Sequence, residues 1–236
     1  MRDAGIAAII LAAGASSRMS VLNKGVIKKE YQKLSSGITV LESAVSAFSS
    51  VPSVSVIVIA VPVNGENTAR GALSSGFLSS LKQEIIFVNG GQTRRTSAFN
   101  ALSALVSHNV SYALIHDGAR PWVSALLVEN IIAAVKKYDA VIPLLPVTDT
   151  PKELRITGGG QADFIERHLK RAGVGTAQTP QAFRFPEILH AHEKAALVND
   201  EEFTDDAEIW GRFCGRVAVI PGDPANKKIT FPEDLS

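Results

Sequence analysis

A chain of 236 residues, 46% hydrophobic and 20% charged, is long enough for one large domain with a full core. A formal net charge of +1 excludes a surface built to coat nucleic acid, so an anionic ligand must be met by a local cluster of Lys and Arg. One cysteine, Cys214, excludes an internal disulfide and a cysteine-rich metal centre and points to a reducing, cytoplasmic setting; no apolar run reaches the ~18 residues of a membrane span.

Ile6 to Leu11 is continuously apolar, and we read it as the first strand of the fold rather than as a signal peptide. It empties into Ala12-Ala13-Gly14-Ala15-Ser16-Ser17-Arg18-Met19. Small residues behind a strand let backbone N–H groups approach phosphate oxygens, and Arg18 adds charge; the same residues also suit an ordinary strand-to-helix turn. Thr39 to Phe48 carries Val40, Leu41, Ala44, Val45 and Phe48 at helical spacing. Strands follow over Val54 to Val61 and Glu84 to Val88. The second leads into Asn89-Gly90-Gly91-Gln92-Thr93-Arg94-Arg95-Thr96-Ser97, where the glycines permit close backbone approach and Thr93 or Thr96 can cap a helix. A plain capped turn and an anion site are both compatible with that loop. The helix runs from Thr93 to Val106.

Tyr112 to Ile115 is the next strand. His116-Asp117-Gly118-Ala119-Arg120-Pro121 after it sets an acid three residues before a base, either a local ion pair or a holder of phosphate and hydroxyl groups. Ser124 to Tyr138 opens on a capping serine and forms a helix, and Ala140 to Leu145 a strand. From Val147 to Lys170 the chain turns polar. Thr148 to Ile156 and Ala162 to His168 can pair as a hairpin around Gly158-Gly159-Gly160, making a protruding arm. His190 and His192 lie two apart on a helix and face different sides, which argues against a His-based metal site. Thr204-Asp205-Asp206-Ala207 has the form of a helix N-cap, Arg216 to Ile220 of a last strand, and Asn226 to Thr230 brings two lysines. Strands alternating with helices predict a mostly parallel sheet in a three-layer α/β sandwich over 1–236, with the loops at 12–18, 89–97 and 116–121 gathered at its carboxyl edge.

Taken in order, Ala12 to Met19, Gly90-Gly91 with Arg94 and Ser97, His116 to Pro121, Asp149-Thr150, Thr179-Pro180-Gln181, Thr204 to Ala207 and Lys228 to Leu235 closely resemble one family. It is the 2-C-methyl-D-erythritol 4-phosphate cytidylyltransferases of the non-mevalonate isoprenoid pathway, and the resemblance runs from about Ile6 to Leu235. It implies a Rossmann-like nucleotidyltransferase sandwich with a β-arm over 147–170 that crosses to a partner subunit in a homodimer. It implies that Arg18 and a lysine near position 29 contact the triphosphate and stabilise the transition state. Lys29 matches best by its Tyr31, with Lys24 and Lys28 also open. Ala12, Ala13, Gly14, Gly91, Gln92 and Ser97 would line the cytidine site. Asp117, Arg120, Thr150, Arg171 and Lys228 would position the polyol phosphate, and Mg²⁺ would arrive with the CTP phosphates. The chain departs from the family in a longer gap after Arg18, in Gln92 where an acid is common, and in Lys227 where an apolar residue is usual. It also lacks the family's usual terminal helix after Ser236, which a shortened chain or a piece of a longer polypeptide would explain. Two other readings share the motifs: a ribitol-5-phosphate cytidylyltransferase, and a nucleotide-binding regulatory protein without turnover. The cations Arg18, Arg171 and Lys228 argue against the second, since a nucleotide sensor needs no contacts to a second substrate.

Overall fold

The structure is a computed structural model that describes residues 5–14, 28–158, 163–198 and 203–235. In chain order the main elements are β1 (Gly5–Leu11), α1 (Val40–Ser49), β2 (Val54–Val61), α2 (Glu66–Gly71), α3 (Ser75–Ser80), β3 (Glu84–Asn89), α4 (Arg94–Ser103) and β4 (Val110–Asp117). Then come α5 (Ala125–Tyr138), β5 (Ala140–Pro146), β6 (Lys152–Arg155), β7 (Phe164–His168), β8 (Gly175–Ala177), β9 (Gln181–Arg184), α6 (Glu187–Ala196), α7 (Asp206–Phe213) and β10 (Ala218–Pro221). The main sheet orders its strands β10-β5-β9-β4-β1-β2-β3, with β8 paired to β5.

The continuous apolar strands are covered on both faces, and alternate side chains divide between two cores. Ile6, Ala8 and Ile10 pack with Leu41, Val45 and Phe48 of α1 and Val128 and Ile131 of α5. Ala7 and Ile9 pack with Ala98 and Leu102 of α4, Ile188 of α6 and Trp210 of α7. The α/β sandwich expected from the sequence is therefore present, and its sheet is mostly parallel: β1 pairs in parallel with β2 and β4, β2 with β3, and β10 with β5.

The register sets the site. Leu11 lies beside Ala60 on one side and Asp117 on the other, and Val61 lies beside Asn89. The carboxyl ends of four strands thus finish level, and the loops after β1, β3 and β4 leave from one edge.

Several boundaries differ from the sequence reading. The helix expected over Thr93 to Val106 ends at Ser103, because the chain tightens into i→i+3 bonds from Leu105 N–H to Leu102 and from Val106 N–H to Ser103. The strand expected over Arg216 to Ile220 begins at Ala218. The short helices α2 and α3 and the strands β8 and β9 had no periodic signal. β9 lies antiparallel between β4 and β5, pairing with both, so the sheet is mixed at that point.

The arm is a hairpin. Lys152 pairs with His168 and Arg155 with Phe164, and these strands are shorter than the stretches expected on either side of the glycines. Gly159 and Gly160 lie outside the described residues.

Candidate functional site

A cavity of about 470 Å³ opens at the carboxyl edge of the sheet. Its floor is the backbone of Ala13 and Gly14 after β1 and of Gly91 and Gln92 after β3. These two loops touch. A Cβ at position 90 would collide with Ala13, and one at position 91 with Thr96, so only glycine lets the β3 loop lie against the β1 loop. Ala12 is buried beneath, its N–H donating to Ala60 at 2.9 Å.

Ser97 lines the cavity from α4, but its hydroxyl is committed to the loop: it accepts from Gly91 N–H at 3.0 Å and donates to the Thr93 carbonyl at 2.9 Å. The Gly91 N–H is therefore turned inward. Thr93 caps α4 in a reciprocal pair with Thr96, which fixes the loop to the helix start.

The opposite wall is charged. Asp117 ends β4, and Lys228 approaches from the C-terminal segment with Nζ donating to Asp117 Oδ2 at 2.8 Å. Arg94 donates through Nε to Asp117 Oδ1 at 3.2 Å, and Arg120 Nε lies 3.7 Å from Oδ2. Burial pushes the Asp117 carboxyl up, but Arg94, Lys228 and Arg120 together outweigh it and hold Asp117 far below the usual carboxylate range. Arg120 also donates to the Asn226 carbonyl at 2.8 Å, which ties its guanidinium to the segment carrying Lys228.

Behind Asp117 stands a fully buried His116. Burial pushes its imidazole down to about 4, so it is neutral near pH 7. Its Nε2 faces the Arg120 carbonyl at 3.1 Å, and a carbonyl only accepts, so Nε2 carries the proton. Nδ1 then accepts from the Thr179 hydroxyl at 3.0 Å, and that hydroxyl accepts from Asp117 N–H at 3.0 Å. The chain of bonds fixes both ends of the His116 to Arg120 turn.

The lysine pair divides. Lys28 Nζ donates to the carbonyls of Ala13 and Gly14 at 3.0 and 2.6 Å, and Lys29 Nζ donates to the Ile229 carbonyl at 2.8 Å. Lys29 lines the cavity, whereas Lys28 clamps the β1 loop. Arg18 lies outside the described residues, as does Lys24.

Thr150 and Arg171 are not brought to this cavity. Arg171 donates to the Thr148 carbonyl at 2.7 Å at the foot of the arm, and it lines a separate groove with Leu144, Val147 and Val219. Thr150 is exposed at the same foot.

Three groups escaped the reading of single motifs. Thr179 supports His116, Asn226 is buried with its amide donating to the Thr179 carbonyl at 2.7 Å, and Asp206 binds Arg94 at 2.7 Å. All three belong to segments the sequence marks as motifs, but their partners lie far away along the chain.

Among the described residues no group of three or more His, Cys, Asp or Glu could hold a metal ion. Both Asp117 oxygens already face cations, so a resident ion on Asp117 does not fit.

A mostly parallel sheet, covered on both faces and opening at its strand ends onto a glycine-floored, cation-walled cavity, defines an α/β protein of the nucleotidyltransferase type. The chain belongs to the IspD family, 2-C-methyl-D-erythritol 4-phosphate cytidylyltransferase, whose model matches residues 6–236. It is 40% identical over 231 residues to a bifunctional enzyme IspD/IspF of Bradyrhizobium sp. strain BTAi1, covering 97% of this chain and 54% of that protein. The chain spans about half the length of the curated relatives it matches. Among solved structures it resembles 4-diphosphocytidyl-2C-methyl-D-erythritol synthase from Anaerococcus prevotii, with a TM-score of 0.78, 30% identity and coverage of 98% of this chain and 94% of that one. It also resembles the bifunctional IspDF of Campylobacter jejuni, with a TM-score of 0.74 and 28% identity, covering 98% of this chain and 53% of that one.

Proposed function

We propose that this chain transfers CMP from CTP to 2-C-methyl-D-erythritol 4-phosphate and releases pyrophosphate. The observation that carries the reading is the two-sided cavity: Ala13, Gly14 and Gly91 line one side, its floor, and Asp117, Lys228 and Arg94 the other, its wall, with Arg120 held 3.7 Å from Asp117 behind them. The floor suits a nucleotide and the wall a polyol phosphate. A phosphate oxygen of the polyol substrate attacks the α-phosphorus of CTP. The bond to the β,γ-diphosphate breaks, and its electron pair leaves with pyrophosphate. The nucleophile is already ionised near pH 7, so no general base is required.

The barrier is the meeting of two anions, and fixed cations lower it. Arg18 and Lys29 face the triphosphate in this reading, and Mg²⁺ carried with CTP would supply further positive charge against the leaving group. Ala12, Ala13, Gly14, Gly91, Gln92 and Ser97 form the cytidine side. Asp117 is too strongly paired to take a proton; it holds Lys228 and Arg120 in place for the incoming phosphate. Thr150 and Arg171 stand apart from this cavity, which supports their delivery to the neighbouring site of a homodimer through the 147–170 arm. The lone cysteine supports a reducing, cytoplasmic setting.

Pyrophosphate release from CTP, measured with each polyol phosphate in turn, tests the reading. Turnover with 2-C-methyl-D-erythritol 4-phosphate is expected. Preference for ribitol 5-phosphate, or nucleotide binding without turnover, would overturn it.

A further inference from the structure

Arg94 is the first residue of α4, so its backbone continues the nucleotide-side loop while its side chain reaches the opposite wall. Its guanidinium joins two carboxylates. Nε donates to Asp117 at 3.2 Å and Nη1 donates to Asp206 Oδ2 at 2.7 Å. Asp206 is fully buried at the start of α7, and its other oxygen lies 3.2 Å from Nε2 of His192, itself fully buried on α6. That contact lacks hydrogen-bond alignment, so Arg94 is the directional partner that Asp206 has among the described residues.

A buried carboxylate is costly unless something specific compensates it. Local structure does not explain this one. The N-cap of α7 is Asp205, which accepts from Glu208 N–H at 2.9 Å, and Gln181 accepts from Ala207 N–H at 3.0 Å. The helices α6 and α7 are already joined by Ala191, Ala195 and Ile209. Arg94 is the main cation on the Asp206 charge, with His192 beside its other oxygen.

We propose that Asp206, backed by His192, is a positioning residue for Arg94, and that it thereby sets how firmly Asp117 holds Lys228 at the cavity wall. The inference rests on the reading of Asp117 and Lys228 as the polyol-phosphate side. Shared between two carboxylates, Arg94 leaves Asp117 Oδ2 to Lys228. With a neutral group at 206 the guanidinium shifts toward Asp117 and competes with Lys228 for it. Lysine could not replace Arg94, because a single ammonium lacks the planar fork that spans both partners.

The test is Asp206→Asn, which keeps shape and an acceptor but removes the charge. In steady-state assays with each substrate varied separately, the KM for 2-C-methyl-D-erythritol 4-phosphate should rise about tenfold, the effect of one weakened charge-assisted hydrogen bond, while the KM for CTP stays within about twofold. The double variant Arg94→Gln with Asp206→Asn should be no worse than Arg94→Gln alone, since both remove one device. Unchanged KM values, equal rises for both substrates, or additive losses in the double variant would overturn the proposal. A second readout needs no turnover. The Arg94 Nη1–H resonance, assigned by its loss in Arg94→Lys, should be protected from exchange in the wild-type chain, where it donates to Asp206, and unprotected in Asp206→Asn. Retained protection would overturn the proposal even if every kinetic value had moved. A wild-type chain that fails to turn over the two substrates would refute the functional reading alone, and the resonance would then decide whether Asp206 holds Arg94.

Discussion

Two adjacent lysines make opposite use of the same charge. Lys28 holds the carbonyls after β1, and Lys29 faces the cavity from the Ile229 side. Lys29→Ala should therefore lower kcat by about 10²-fold, equivalent to ~3 kcal/mol of lost transition-state stabilisation, with Arg18→Ala behaving alike. Lys28→Ala should instead raise the KM for CTP by loosening the loop, and steady-state kinetics on the three variants separates the roles. A dead Lys28→Ala beside a near-normal Lys29→Ala would reverse the assignment. His116 supplies a second expectation. Its unfolded imidazole titrates near 6.5 and its folded one at about 4. The stability tied to its neutral form is full above pH 6.5 and is lost as pH falls toward 4, by about 3 kcal/mol in all. Urea midpoints measured across this range should fall less steeply for His116→Gln than for the wild-type chain; parallel slopes would show that His116 is not the group responsible.

At the level of elements, the start of α4 joins helix capping to the site. Thr93 accepts from Thr96 N–H at 3.1 Å, Thr96 accepts from Thr93 N–H at 2.9 Å, and one turn on Ser97 grips Gly91. Thr93→Ala should cost ~1 kcal/mol of stability, read as a lowered melting temperature. It should also raise the KM for CTP more than that for the polyol phosphate, because the cap and the nucleotide floor are one piece of backbone. A variant that melts lower with both KM values unchanged would confine the cap to stability. The level ends of β1, β2, β3 and β4 explain why such a small element matters: the parallel register puts every loop of the site on one edge.

On the scale of the whole molecule, the hairpin of β6 and β7 exposes Leu154, Ile156, Phe164 and Ile165, each at least half accessible. Apolar side chains on a two-stranded ribbon with open edges call for a cover, and a matching arm of a second copy would supply one in a self-complementary interface. The arm's feet carry Thr150 and Arg171, which do not reach the cavity of their own chain. Deleting Glu153 to Phe164 should give a folded monomer with weak turnover. Light scattering on the intact chain at micromolar concentration should give twice the mass of one chain, and full activity from a species of single-chain mass would exclude a shared site.

Elements with a strong period were legible from the residues alone. The apolar strands from Ile6 and Val54, the helices capped at Thr39 and Ser124, and the glycine loop after β3 carry their instructions within a few neighbouring residues. Burial on both strand faces and side-chain capping are local demands. The ordered motifs likewise marked the family and most of the residues that line the cavity. Tertiary structure decided what no window contains. The strand β9 is short and gains its place by pairing with β4 and β5 on either side. Asp206 meets Arg94 across 112 residues, and Lys228 meets Asp117 across 111. Whether such an acid caps a helix or fixes a guanidinium depends on which charges the fold carries to it, and whether Lys28 or Lys29 enters the cavity depends on which carbonyls stand beside each. Local propensity reaches as far as a turn or a strand. The placement of buried charge is a property of the packed chain, because only there does the cost of desolvation select a partner.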